Sequence, residues 1–165
     1  MAETGTTITY DVNTDLILGD DLYLYVTSDN KPLAFATSCS VQIDGETIDT
    51  SNKMSGRWNS NLSGKNGYTI SSDALFTQKT GAYSFDSLME KMVEGGKLEW
   101  KIGKCKNRTS FELDTTGAYY SGEGFVTSLS LNAGNNEVAN CSITITGSGA
   151  IALNKPTADP ADPTE

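Results

Sequence analysis

Histidine is the first residue that this 165-residue sequence lacks: it contains none. Histidine is the commonest general base and the commonest zinc ligand, so the usual designs of both kinds of site are missing. Only three cysteines are present, Cys39, Cys105 and Cys141, and no two form a C-x-x-C pair. The spacing therefore predicts neither a zinc ribbon nor a thioredoxin-like site. No apolar run approaches the roughly 18 residues of a membrane-spanning helix.

Basic residues are also scarce, since 12 Lys and Arg stand against 21 Asp and Glu and give a net charge of −9. This balance argues against a nucleic-acid-binding protein, which needs a basic face. The sequence has no G-x-S-x-G elbow and no G-x-x-x-x-G-K-[ST] phosphate loop. Because no set of acid, base and nucleophile stands out, we expect a protein without catalysis, cofactor or metal.

Composition divides the chain into three parts. Residues 1–19 are polar and acidic, which predicts a flexible N-terminal arm. Residues 154–165 hold three of the four prolines and almost nothing apolar, which predicts a disordered tail. The ordered domain is then 20–153, long enough to bury one real core.

Alternation of apolar and polar residues dominates this domain and predicts a mainly β fold. DLYLYVT looks covered on both faces and is predicted to be an internal strand. GYTISSDALF, residues 67–76, is predicted to be a further strand, and Asn132 to Asn135 the hairpin loop joining two late strands. The other four strands are predicted to point these residues inward: Cys39, Val41 and Ile43; Leu98, Trp100 and Ile102; Phe125, Leu129 and Leu131; Ala139, Cys141, Ile143 and Ile145.

One segment has helical periodicity instead. Its apolar residues recur at i, i+3, i+4, i+7 and i+8, and they are Phe85, Leu88, Met89, Met92 and Val93. Ser84 is suited to the N-cap, and Gly95 with Gly96 ends the helix. We interpret the methionines as core residues.

The polar stretch 49–66 is predicted to be a long loop around one large aromatic residue, Trp58. Loops of this length inside a compact domain are usually functional or disordered, and a lone aromatic is typical of a docking anchor. The alternative is a mobile loop whose Trp58 packs back onto its own core. The residues expected to matter in the loop are Lys53, Gly56, Arg57, Trp58, Gly64 and Lys65.

Charge is unevenly distributed along the chain. Residues 1–30 contain six acids and no base, whereas residues 97–108 contain five bases and one acid. An acidic arm and a basic segment on one chain allow head-to-tail contact between copies. The contact would join Asp11 and Asp15 to Lys101, Lys104, Lys106 and Arg108. The alternative is an ordinary solvated face.

Two stretches of the sequence are similar to the major tail proteins, or tail tube proteins, of long-tailed bacteriophages. The first, residues 32–76, matches the family's motifs at Ala34 to Ser38, Ile48-Asp49-Thr50, Lys53, Ser55-Gly56, Trp58, Gly64, Tyr68 and Ile70. The second, GEGFVTSLSLNAGNNEVANCSITITGSGAI, resembles the family's closing hairpin. The resemblance runs from about Asp20 to Leu153 and leaves out both ends of the chain.

The resemblance implies a β-sandwich or partly closed barrel with one flanking helix. It implies stacked hexameric rings, an inner β-barrel built from hairpins, and contact of loop 49–66 with the adjacent ring. Partners would be further copies, the tape measure, terminator and baseplate or distal tail proteins, and double-stranded DNA that passes without specific binding. We expect a virion tail protein made in the bacterial host cytoplasm, with no membrane association. The lumen is expected to be acidic or small and polar, with Lys97 to Arg108 kept away from it.

Two alternatives remain open at this point. One is a related ring protein, either a tail terminator or the tube of a contractile injection system. The other is a β-sandwich carbohydrate-binding or adhesin module, which favours clustered exposed aromatic residues. Trp58 and Trp100 are the only tryptophans, and Trp100 lies on an apolar strand face, so support for a sugar-binding platform is weak.

Overall fold

The computed structural model describes residues 16–26, 30–78 and 83–155. Within these ranges a short 3₁₀ turn, Gly19–Asp21, leads into seven strands and one helix. The elements are β1 (Leu22–Val26), β2 (Ala36–Asp49), β3 (Asn61–Leu75), α1 (Phe85–Glu94), β4 (Leu98–Lys104), β5 (Tyr119–Asn132), β6 (Asn140–Gly147) and β7 (Ala152–Asn154).

The strands form one antiparallel sheet in the order β1-β4-β5-β6-β3-β2, and β7 pairs with the start of β5. The sheet curls so that its two ends approach each other, with Cys39 Sγ of β2 lying 3.9 Å from the Leu22 carbonyl oxygen of β1. The strands β1 and β2 do not pair, so the sheet is a half-barrel with one helix. The predicted mainly β, partly closed barrel with a flanking helix is confirmed.

The core fills the concave side of the curl and centres on Tyr68 and Trp100. Their rings meet edge to face at 5.4 Å between centroids, and the Tyr68 hydroxyl donates to the Glu123 carbonyl oxygen at 2.6 Å. A Cβ at Gly147 would overlap the Tyr68 ring, so this position requires glycine. The inward-facing residues predicted for β4 and for Cys141, Ile143 and Ile145 of β6 are confirmed.

The helix begins after Ser84 and ends at Gly95, whose φ of 66° suits glycine. Its bounds agree with the prediction, but its predicted burial is wrong for the methionines. Leu88 is buried, whereas Met89 and Met92 are exposed. The ten-residue helix packs on the core through Leu88 and Phe85, and the rest of its apolar face remains open to solvent.

Strand β1 is an edge strand, so its predicted internal position is wrong. Residues 24–26 are nevertheless buried. The following segment folds back along the outer edge of β1, where the Leu33 amide donates to the Leu24 carbonyl oxygen at 2.9 Å. The inward placement of Val41 and Ile43 is also wrong, since both are exposed. They lie on the inner face of β2, the other edge strand, where nothing in the described chain covers them.

The predicted inward face of β5 is wrong in its first half. Val126, not Phe125, is buried, because the β5–β6 register shifts between Val126 and Ser128. A bulge of one residue reverses the alternation, so Leu129 packs against the core on the same face as Val126. The predicted β5–β6 hairpin is present, with residues 133–139 as its loop.

Candidate functional site

The segment predicted as a long loop is mostly a β-hairpin, so the prediction of a loop over 49–66 is wrong. Strands β2 and β3 remain paired as far as Asp49 opposite Asn61, and only residues 50–60 form the loop. The loop is closed by the Thr50 amide, which donates to the Ser60 carbonyl oxygen at 2.8 Å. The hairpin extends beyond the ends of the neighbouring strands, because β6 pairs with β3 only as far as Thr69.

Large apolar side chains on this hairpin face solvent. Met54 is 96% exposed and Trp58 83% exposed, so the alternative in which Trp58 packs onto its own core is wrong. Ile48 and Leu62 pair across the strands and are also exposed. Isolated exposed apolar residues are normal, but a projecting hairpin that carries four of them is typical of an interaction site.

The other predicted residues of the hairpin have different settings. Lys53 and Arg57 are exposed in the loop, and Lys65 is exposed on β3. Gly56 has a φ of 67°, which favours glycine. At Gly64 a Cβ would approach the Glu46 backbone oxygen at 3.0 Å, so glycine permits close pairing of the two strands there.

The basic segment lies on β4 and in the loop after it, away from the hairpin. The Lys101 ammonium donates to Asn30 Oδ1 at 2.7 Å, and the Arg108 guanidinium pairs with Asp21 at 3.0 Å. Lys104 and Lys106 are exposed. Their two predicted partners, Asp11 and Asp15, lie outside the described residues.

Two strand edges are unpaired over long stretches of the described sheet. Among the residues that the structure describes, β2 has no partner strand on its outer side. The strand β5 pairs with β4 and β7 only between Tyr119 and Gly124, so Phe125–Asn132 pairs with β6 alone. Unpaired edges of this length are templates for pairing with another chain.

The convex face of the four strands between these edges is polar. Over the body of the sheet the outward residues of β2, β3, β6 and β5 are mostly polar or acidic and none is basic, and Phe125 and Leu75 are the large apolar residues on the same side. The polar members are Ser38, Ser40, Gln42 and Asp44; Thr69, Ser71 and Asp73; Ser142, Thr144 and Thr146; and Ser128 and Ser130. We call this set the polar face.

Asp73 joins three strands of the polar face. Its carboxylate accepts hydrogen bonds from Ser142 Oγ at 2.6 Å and from Ser38 Oγ at 2.9 Å. These bonds lower the pKa of Asp73 because they favour its charged form. The sequence predicts an acidic or small, polar lumen but does not show which strands form it. The alternating Ser and Thr residues of β2 and β3 are the sequence signal that these two strands extend the face formed by β5 and β6.

Other kinds of site have little support among the described residues. Trp100 is fully buried, so the two tryptophans form no exposed pair for a sugar ring. Across 16–26, 30–78 and 83–155, no three His, Cys, Asp or Glu side chains group as metal ligands. Among those same residues no helix is long and apolar enough to cross a membrane.

Comparison with solved structures finds the same fold in several tail assemblies. The chain superimposes with a TM-score of 0.66 on a protein of the tail of an empty gene transfer agent particle refined with C6 symmetry, at 18% identity. That match covers 84% of this chain and 98% of the other. The SPP1 tail tube gives a TM-score of 0.63 at 12% identity, covering 85% and 80%.

A third similar structure is the sheath–tube complex of the extracellular contractile injection system PVC. It gives a TM-score of 0.60 at 16% identity and covers 89% of this chain and 99% of the other. None of the curated proteins compared matches the chain significantly. The family model described as phage tail tube protein matches residues 17–152, most of the chain. The resemblance found in the sequence is thus confirmed, and the chain belongs to the phage tail tube protein family, a family of structural tail components rather than enzymes.

Proposed function

We propose that this protein is the repeating subunit of a tail tube, in which six copies close into a ring and rings stack into a channel for DNA. The two unpaired edges are the observation that carries the proposal. In the antiparallel order β2-β3-β6-β5, the outer strands β2 and β5 run in opposite directions. Rotation about an axis along the strands therefore brings β5 of one subunit antiparallel to β2 of the next.

Such pairing makes a heterologous contact that closes into a ring and satisfies both edges. The C6 symmetry of the gene transfer agent tail supports six as the number of copies. Exposed Val41 and Ile43 fit this arrangement, since a neighbouring subunit would cover the inner face of β2. The subunit then needs no enzyme chemistry, cofactor or metal, and its other partners are the proteins at the two ends of the tail and the tape measure inside it.

The polar face is our candidate for the lumen. It carries the carboxylates of Asp44 and Asp73 and has no basic residue over the body of the sheet, so it repels phosphates and lets DNA pass unbound. The strand β4 pairs with β5 only over Tyr119–Gly124, so Lys101 and Lys104 are displaced along the strand direction from Ser128 and Ser130 of the polar face.

Two further contacts between rings belong to the proposal. The projecting hairpin reaches the adjacent ring with Trp58 as its anchor, together with Lys53, Gly56, Arg57, Gly64 and Lys65. The acidic residues Asp11 and Asp15 of one subunit approach Lys101, Lys104, Lys106 and Arg108 of another.

Electron microscopy of the purified protein over a concentration series tests the function, with light scattering alongside. We expect hollow tubes with a regular axial repeat. Single rings that never stack would indicate a terminator instead. A strictly monomeric particle at every concentration, together with binding in a glycan screen, would favour the carbohydrate-binding module.

A further inference from the structure

The end of the sheet opposite the hairpin carries a second exposed apolar set. Strand β3 runs 15 residues from the hairpin loop to Leu75, a distance of about 46 Å at 3.3 Å per residue. At that far end the Leu75 amide donates to the Phe35 carbonyl oxygen at 3.0 Å, and the Phe76 amide donates to the Ala139 carbonyl oxygen at 2.9 Å. Phe35, Leu75 and Val138 therefore belong to neighbouring segments at one end of the molecule.

We call Phe35, Leu75 and Val138 the socket. Phe35 is 60% exposed and Val138 69% exposed, and Leu75 is partly open to solvent as well. Phe35 also has a φ of 53°, a strained conformation for an aromatic residue. Strained residues cluster at functional sites, which marks Phe35 as more than a stray exposed side chain.

We propose that the socket receives the hairpin loop of a subunit in the adjacent ring, an inference that rests on the proposed function. One chain carries exposed apolar side chains at both ends of its strand direction, and stacking head to tail brings these ends together. Charge agrees with this pairing. Lys53 and Arg57 are the charged residues of loop 50–60, whereas Glu137 is the charged residue of loop 133–139 beside the socket.

The exposed face of α1, with Met89, Met92 and Val93, is the competing receptor. Its first residue, Phe85, stacks on Phe76 near the socket at 6.0 Å between ring centroids. Its C-terminal half, which carries these exposed side chains, leads back to Leu98 opposite Gly124, away from the Asn132 end of β5. A hairpin that projects along the strand direction meets the end of the next subunit before it meets this flank. The arrangement of the elements therefore favours the socket.

Matched substitutions of two exposed valines test whether the socket or α1 receives the hairpin loop. Val138→Asp places a charge in the socket, and Val93→Asp places the same charge on α1, where the side chain is 83% exposed. We expect Val138→Asp to fold and form rings that do not stack at concentrations where the unsubstituted protein forms tubes. The protein with Val93→Asp is expected to form normal tubes. Thermal unfolding of each variant checks that the subunit remains folded.

Cross-linking within assembled tubes tests the contact without disrupting it. In a Cys39→Ser background, Met54→Cys and Val138→Cys joined by a short bismaleimide are expected to give a ladder of linked subunits. Met54→Cys with Val93→Cys is expected to give none. Tubes that form normally with Val138→Asp and give no Met54–Val138 ladder would overturn the socket and leave the proposed function intact. A ladder through Val93 would identify α1 as the receptor, and absence of rings and tubes from the unsubstituted protein would overturn both proposals.

Discussion

Truncation of Trp58 to alanine is the most direct perturbation of ring stacking. A buried aromatic side chain removes about 200 Å² from water. Trp58 is 83% exposed in the subunit, so about 165 Å² remains for a neighbour to cover. At about 25 cal/mol per Å², covering it stabilises the contact by up to about 4 kcal/mol.

Truncation of an anchor residue at an interface typically costs about 2 kcal/mol or more. At 1.4 kcal/mol for each tenfold change, 2 kcal/mol per subunit raises the critical concentration for tube assembly about 30-fold. Because Trp58 lies outside the core, we expect Trp58→Ala to change the free energy of unfolding by less than about 0.5 kcal/mol.

Sedimentation of tubes over a concentration series measures the critical concentration for assembly, and thermal unfolding measures the stability of the subunit. Val93→Ala is the control, since Val93 has the same fractional exposure and lies on α1. Assembly of Trp58→Ala at the concentration of the unsubstituted protein would refute the role of Trp58. A large fall in its melting temperature would refute the reasoning from exposure.

Three other predictions concern the core and the polar face. Gly147→Ala, whose new Cβ overlaps the Tyr68 ring, is expected to destabilise the subunit by about 1–3 kcal/mol in denaturant unfolding. Asp73 has a lowered pKa, so the stability that its carboxylate contributes is present above the ordinary pKa of 3.8 and is lost as pH falls through the lowered pKa. Asp73→Asn should therefore flatten the acid side of a curve of unfolding free energy against pH. An unchanged curve would contradict this. Thr144→Lys is expected to make tubes retain double-stranded DNA in a filter assay, whereas equal retention by Val93→Lys would contradict a lumen at the polar face.

Local sequence patterns correctly predicted the elements whose burial depends mainly on their own residues. The helix from Phe85 to Glu94 agrees with its periodicity and its glycine stop. Strand β4 lies between β1 and β5, so the alternating residues Leu98, Trp100 and Ile102 are buried as their pattern predicts. In a strand of this kind every second residue faces the core, and no distant segment changes which residues are buried.

The errors occur where a distant segment or a missing neighbour decides burial. A bulge between Val126 and Ser128 reverses which residues of β5 face the core, and the local sequence contains no signal for it. Val41 and Ile43 alternate like core residues but lie on an edge strand. In the proposed ring a neighbouring subunit covers Val41 and Ile43, which the isolated subunit leaves exposed. Those exposed residues identify the candidate surfaces for assembly.

Cryo-electron microscopy of assembled tubes tests the central claim, that rings close by pairing of β5 with β2. The predicted result is a sixfold ring in which Phe125–Asn132 of one subunit lies antiparallel to β2 of the next, with the polar face lining the channel. A ring that closes through other strands, or one in which the polar face is turned outward, would contradict the account.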